Sequence, residues 1–101
     1  MNTDSITKED IIQALTPVFR GRGVRRAVLF GSYAKGTQAD NSDIDILVDS
    51  GLRGLRFYGL LEEVCNSVKK PVDLIDVYQL KPGSDMARDI DKTGVVIYEQ
   101  S

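Results

Sequence analysis

The chain has 101 residues, of which 42% are hydrophobic, a size that fits a single domain over residues 1–101 with a modest core. Thirteen basic and fifteen acidic residues give a formal net charge of −2, which argues against a broadly basic nucleic-acid or membrane-surface binder. The sequence has no long apolar run and no basic and apolar leader, so we expect a cytoplasmic protein that neither enters membranes nor binds nucleic acid directly.

The chain has no histidine and one cysteine, Cys65, so an internal disulfide cannot form. Any bound metal would be held mainly by oxygen atoms, a ligand type that favours Mg²⁺ or Mn²⁺ over Zn²⁺. Cys65 lies on the apolar side of a predicted helix, where a small buried residue is more common than a nucleophile.

The first predicted element is a helix, with an apolar face formed by Ile11, Ile12, Leu15, Val18 and Phe19. Ser5 or Thr7 would cap this helix, and Asp10 follows Thr7 at the spacing of a capping box. Pro17 is expected to kink or divide the helix. Two glycines shortly after it are expected to end the helix.

A strand, a short helical turn and a second strand come next. Residues 25–30 are largely apolar and predict strand one, and the helical turn begins at Gly31 and Ser32. Residues 40–42 have the composition of a turn, which would return residues 43–48 antiparallel to strand one.

The second half of the chain predicts a third helix, a third strand, a short polar helix and a closing strand. The third helix covers the apolar stripe from Leu55 to Val68, and the strands cover residues 72–77 and 95–98. The polar helix covers residues 82–91. A helix-containing connection between strands two and three is long enough to make them parallel. The predicted fold is therefore α/β (α+β), a small mixed sheet of three to four strands flanked by helices.

Acidic side chains fall where this topology would bring strand ends together. Asp43 and Asp45 are two residues apart on one strand, so both side chains point to one face. The end of strand one and the start of parallel strand three reach the same rim, which adds Asp73. Asp76 points to the opposite face and lies further from the rim, so it is a weaker candidate for the site than Asp73.

Carboxylates grouped in this way repel one another unless a cation lies between them. Two Mg²⁺ ions roughly 3.5 to 4 Å apart could hold a nucleotide's phosphates at such a site and activate a hydroxyl group. Gly31 would let the backbone approach the phosphates, Ser32 would offer a hydroxyl, and Lys35 and Gly36 lie one turn further on. The alternative for the acids is an ordinary solvated strand start, and the Tyr33 ring could either stack on a base or pack in the core.

The segments LFGSYAKG at 29–36, SDIDILV at 42–48 and VDL at 72–74 together resemble the minimal nucleotidyltransferase (MNT) domains of the DNA polymerase β-like nucleotidyltransferase superfamily. The resemblance covers the whole chain. It implies a nucleotidyltransferase fold and transfer of a nucleoside monophosphate, usually AMP from ATP, to a hydroxyl group with release of pyrophosphate.

The resemblance also implies roles for individual residues. Asp43 and Asp45 would bind two metal ions, and Asp73 would bind the catalytic metal and help to deprotonate the acceptor. Gly31 and Ser32 would hold the β- and γ-phosphates. Many relatives have arginine where this chain has Lys35, and lysine lacks the bidentate fork of arginine, so nucleotide affinity is the property that this difference would change.

Larger members of the superfamily carry extra domains that select the acceptor, whereas 101 residues leave no room for one, so we expect a separate chain to present it. MNT domains are commonly antitoxins of HEPN-family ribonuclease toxins, and some adenylylate a tyrosine of the toxin. The resemblance thus implies a HEPN toxin partner, and a homo- or hetero-oligomer is compatible with it. If the partner is obligate, we expect an exposed apolar patch on helix three or the closing strand.

Two other functions are compatible with parts of the pattern. The first is a non-catalytic antitoxin that masks its toxin by complex formation. The second is a phosphatase of the haloacid dehalogenase type, because those enzymes also begin their chemistry from an Asp-x-Asp on a strand. They are usually larger and lack a Gly-Ser element before that motif.

Overall fold

The computed structural model describes residues 6–39 and 41–100, and these contain four strands, four α-helices and one 3₁₀ helix. In chain order they are α1 (Lys8–Gly21), β1 (Arg26–Phe30), α2 (Gly31–Lys35), β2 (Ile44–Asp49), α3 (Leu55–Val68), β3 (Val72–Asp76), the 3₁₀ helix (Val77–Gln79), α4 (Asp85–Thr93) and β4 (Val95–Glu99). The strands form one mixed sheet in the order β3-β2-β1-β4, which confirms the predicted fold class. None of the described helices has the length and apolar character needed to cross a membrane.

The start of α1 is held by a capping box. The Thr7 hydroxyl accepts a hydrogen bond from the Asp10 amide at 3.1 Å, and the Asp10 carboxylate accepts one from the Thr7 amide at 3.0 Å. Of the two predicted caps, Thr7 is therefore the one used, and Ser5 lies outside the described residues. Pro17 lies inside α1, which continues to Gly21, so the prediction that it could divide the helix is wrong.

The strand pairing places three strand termini at one rim of the sheet. β1 and β2 are antiparallel, with Phe30 opposite Asp45, and β2 and β3 are parallel, with Asp45 opposite Asp73. Both pairings agree with the prediction. β4 pairs antiparallel with the other side of β1, which makes β3 and β4 the edge strands of the described sheet.

The two faces of the sheet are covered unequally. Helices α1 and α3 pack on one face over the larger part of the core, which includes Ile11, Leu15, Phe19, Leu29, Ile44, Ile46, Leu60 and Val64. The other face carries a small cluster, Val28, Phe30, Leu47 and Ile90, beneath α4. Because side chains alternate along a strand, Asp45 lies between the inward-facing Ile44 and Ile46 and projects to the α4 face.

Several element boundaries differ from the prediction by one to three residues, and two of these shifts have a clear local cause. β3 ends at Asp76 because that residue caps the 3₁₀ helix that follows. α4 begins at Asp85 rather than at Pro82, because the Ser84 hydroxyl caps it and accepts a hydrogen bond from the Ala87 amide at 3.2 Å. Cys65 is free and only partly buried.

Asp76 is a buried structural carboxylate at the far end of β3. Asp76 is only 2% exposed. Its carboxylate accepts hydrogen bonds from the Ser50 amide at 3.2 Å, from the Ser50 hydroxyl and from the Tyr78 amide at 3.4 Å. The Ser50 hydroxyl in turn accepts one from the Leu52 amide at 3.0 Å. Asp76 therefore ties the end of β2 to the end of β3, as expected for a residue away from the rim.

Asp76→Ala should lower the free energy of unfolding by about 2–4 kcal/mol, because it leaves buried donors of Ser50 without an acceptor. Urea unfolding followed by circular dichroism measures this change. Asp73→Ala is the matched control, because Asp73 is exposed on the same strand and its loss should change stability by about 0.5 kcal/mol or less. Equal destabilisation by the two substitutions would contradict the structural role of Asp76.

Candidate active site

Gly31 follows β1 directly and lies against the side chain of Asp45. Its φ is +71°, a left-handed conformation that side-chain-bearing residues rarely adopt. A Cβ atom built on Gly31 would overlap the Asp45 carboxylate, whose Cγ would be only 3.2 Å away. Glycine is therefore required twice over, for its backbone conformation and for the space that the carboxylate occupies.

Asp45 is the centre of a group of acidic residues. Burial raises its pKa above the usual carboxyl value, and the neighbouring charges of Asp73, Asp43 and Asp89 raise it further, in that order. Asp45 is half-buried, whereas Asp43 and Asp73 are exposed beside it. The structure thus brings together the three predicted carboxylates on one rim and adds Asp89 from α4.

The donor chemistry of this rim fits a hard divalent cation. The three carboxylates of Asp43, Asp45 and Asp73 supply only oxygen ligands, which suit Mg²⁺ or Mn²⁺. A cation would also relieve the repulsion that raises the pKa of Asp45. In the part of the chain that the structure describes, no three acidic or thiol side chains are already arranged as a group that could hold a metal ion.

Helix α2 carries the remaining predicted residues of the site. Ser32 is half-buried next to Gly31, and Gly36 ends the helix in a left-handed conformation with its amide bonded to the Ser32 carbonyl. Tyr33 is 3% exposed and packs in the larger core cluster, so its ring has the packing role rather than a free face for a base. The buried Tyr33 side chain therefore fixes the backbone of α2 against the core.

Lys35 forms an ion pair with Asp89 at 2.9 Å, which connects α2 to α4. Asp89 was not among the residues predicted for the site. Its helix contains several acids in a polar segment, and nothing in that local pattern distinguishes Asp89 from Asp85 or Asp91. Asp89 reaches the rim because α4 packs on the face of the sheet to which Asp45 projects.

Comparison with known proteins identifies the class. Residues 13–101 match the family model described as "Polymerase beta, Nucleotidyltransferase". Because the match covers most of the chain, the chain belongs to this nucleotidyltransferase family, and the predicted resemblance is confirmed. Membership also rules out the haloacid dehalogenase alternative.

Individual relatives agree with this membership. The "Putative protein adenylyltransferase MJ0435" of Methanocaldococcus jannaschii is 38% identical over 78 residues, which cover 72% of this chain and 81% of the relative. A crystal structure of a toxin-antitoxin with AMP-PNP has a TM-score of 0.74 at 24% identity, over 89% of this chain and 74% of that one.

A further structure is that of a tri-AMPylated Shewanella oneidensis HEPN toxin in complex with MNT antitoxin. The match has a TM-score of 0.68 at 19% identity and covers 91% of this chain and 72% of that chain. At these identities the structural matches establish a shared nucleotidyltransferase fold.

Gly31→Ala should destabilise the fold more than Gly36→Ala. Both glycines have a positive φ, so each substitution incurs backbone strain of about 1 kcal/mol. Only at Gly31 does the new methyl group meet Asp45, an overlap that should cost about 1–3 kcal/mol more. Thermal unfolding of the two variants checks the difference, and equal losses of stability would show that Gly31 does not press on the carboxylate.

Asp45→Asn should stabilise the metal-free protein at neutral pH. A carboxyl group whose folded-state pKa is raised destabilises the fold wherever it is ionised, that is, above its unfolded pKa of about 3.9. The difference in melting temperature between variant and wild type should therefore shrink as the pH falls through the raised pKa and toward the unfolded value. Melting curves between neutral and acidic pH measure it, with the exposed Asp91→Asn on α4 as a control. A wild type that is more stable than Asp45→Asn at neutral pH would contradict this account.

Proposed function

We propose that this nucleotidyltransferase transfers AMP from ATP to a hydroxyl group of a partner protein, with tyrosine as the acceptor, and acts as the antitoxin of a HEPN-family ribonuclease toxin. The observation that supports this proposal best is the convergence of Asp43, Asp45 and Asp73 beside Gly31 in a chain of this family. The relative that is 38% identical carries the name protein adenylyltransferase, which supports a protein acceptor.

In this proposal Asp43 and Asp45 hold two Mg²⁺ ions and Asp73 shares one of them. When bound, Mg²⁺ polarises the phosphorus that is attacked and lowers the pKa of the acceptor hydroxyl. Asp73 also accepts the proton of that hydroxyl, a role for which its exposed position on edge strand β3 leaves it accessible. Burial raises the pKa of Asp45 and its acidic neighbours raise it further, so a cation bound at the rim would favour the ionised carboxylate.

Helix α2, which begins at Gly31 directly after β1, carries the proposed triphosphate subsite. Gly31 allows the backbone to approach the phosphates, because no side chain stands there, and Ser32 offers a hydroxyl donor beside it. The Lys35 ammonium and the backbone at Gly36 complete the subsite at the end of the short helix. These contacts orient the leaving pyrophosphate away from the acceptor.

A partner could approach from the β3 edge. Next to Asp73 lies an open groove of about 460 Å³, whose lining includes Leu80, Lys81 and Met86. Apolar side chains are exposed on α3, with Leu55 89% and Tyr58 57% exposed, and on β4, with Val96 43% exposed. These side chains are further candidates for partner contact. ATP and the RNA cleaved by such a toxin are both cytoplasmic, so the proposed place of action is the cytoplasm.

The test is transfer of label from α-labelled ATP to the product of the neighbouring gene in the presence of Mg²⁺. Asp43→Asn and Asp45→Asn should each reduce transfer by at least about a hundredfold, because a lost metal ligand removes several kcal/mol of transition-state stabilisation. Chelation of Mg²⁺ should abolish transfer. Asp49→Asn is the matched control, because Asp49 lies at the opposite end of the same strand and pairs with Arg25 at 2.9 Å.

The competing function predicts a different result. If the chain only masks its toxin, the wild-type protein and the Asp43→Asn, Asp45→Asn double variant should protect cells from the toxin equally well. Absence of label on the partner with the wild-type chain, together with full protection by the double variant, would replace the enzymatic proposal by the masking one.

A further inference from the structure

The ion pair between Lys35 and Asp89 joins two elements that are distant in sequence. Lys35 is the last residue of α2, four residues after Gly31, and Asp89 lies in the middle of α4. The Lys35 Nζ and an Asp89 carboxylate oxygen are 2.9 Å apart, and both side chains are partly exposed. Lysine has three N–H donors, so one bond to Asp89 leaves two for other oxygen atoms.

Asp89 is itself held in place. The Thr93 hydroxyl donates to the Asp89 carbonyl at 2.9 Å and lies 3.4 Å from its carboxylate. The next residue, Ile90, is buried against Val28, Phe30 and Leu47 of the sheet. The carboxylate of Asp89 is therefore anchored to the same sheet that carries the rim.

The position of Asp89 relative to the rim is also defined. Its charge is one of those that act on Asp45, so it lies near the carboxylates rather than at a remote surface. The Lys35 ammonium, bound to Asp89, is consequently kept on the α4 side of the sheet, where Asp45 projects. Lys35 belongs to the triphosphate subsite proposed above, so Asp89 contacts that subsite directly.

We propose that Asp89 is a positioning residue, which holds the Lys35 ammonium toward the phosphates of the bound nucleotide. This inference rests on the proposed function, because it assigns a target to Lys35. Asp89 has two opposing effects, since its own charge repels phosphate while its bond to Lys35 removes the rotamer freedom of a long side chain. Repulsion at a partly exposed site is weakened by water and salt, so the ordering of Lys35 dominates.

Asp89→Asn should weaken nucleotide binding by about two- to tenfold, the gain expected from ordering one flexible side chain. The KM for ATP should rise by that factor, whereas kcat should stay within about twofold, because Lys35 contacts phosphates in both the ground state and the transition state. Equilibrium binding of AMP-PNP in the presence of Mg²⁺ gives an independent readout. Asp89→Glu, which keeps the charge on a longer side chain, should recover at least part of the affinity.

A double-mutant cycle separates positioning from other roles of Asp89. In a Lys35→Ala background, Asp89→Asn should cause no further rise in the KM for ATP and no further loss of AMP-PNP binding, and at most a small gain from the removed repulsion. Asp91→Asn, an exposed acid on the same helix, is the matched control and should leave both unchanged. Thermal melts verify that each variant is folded. Asp89→Ser, which also removes the ion pair, takes the place of Asp89→Asn if that variant does not fold.

Three results would overturn the inference. The first is that Asp89→Asn binds AMP-PNP as tightly as wild type or more tightly. The second is that Asp89→Asn weakens binding equally in the wild-type and Lys35→Ala backgrounds. The third is that Asp91→Asn weakens binding as much as Asp89→Asn does. A wild-type chain that binds AMP-PNP while Asp89→Asn binds it equally well overturns this inference alone. A wild-type chain that binds no nucleotide overturns the proposed function and the inference with it.

Discussion

The contact between Gly31 and the Asp45 carboxylate is the constraint on which the site depends. The antiparallel pairing of β1 and β2 sets Phe30 opposite Asp45, so the residue after β1 must pass directly over the carboxylate. Only glycine fits this space and this backbone conformation. The same contact buries part of Asp45, and burial is the largest cause of its raised pKa. Close packing at Gly31 therefore contributes to the raised pKa of Asp45, and the neighbouring acids add to it.

Two aspartates of the chain show how differently the fold treats a buried carboxylate. Asp76 is almost fully buried, and hydrogen bonds from Ser50 and Tyr78 satisfy it. Asp45 is less buried, but acidic neighbours surround it instead of donors. The first arrangement stabilises the sheet, whereas the second reduces stability in the absence of a cation. Such a cost is typical of a site that is shaped for a ligand.

Much of this architecture could be predicted from local patterns and connection lengths. The connection between β2 and β3 is long enough to let them run parallel, and their observed register brings Asp73 opposite Asp45. Proline is common at the first position of a helix, so the sequence is compatible with a start of α4 at Pro82, whereas in the structure Ser84 caps the helix. Asp89 could not be identified, because its role depends on how α4 packs on the sheet. The proposed roles of the site residues remain predictions.

The most direct test of the account is metal binding at the rim in the presence of a nucleotide. Mn²⁺ titration followed by electron paramagnetic resonance, with AMP-PNP bound, counts the ions that wild type and Asp45→Asn hold. The account predicts up to two Mn²⁺ ions for each wild-type chain, and a loss of at least one of them in Asp45→Asn. Equal Mn²⁺ binding by the two proteins would contradict the claim that the acidic rim is a metal-dependent nucleotide site.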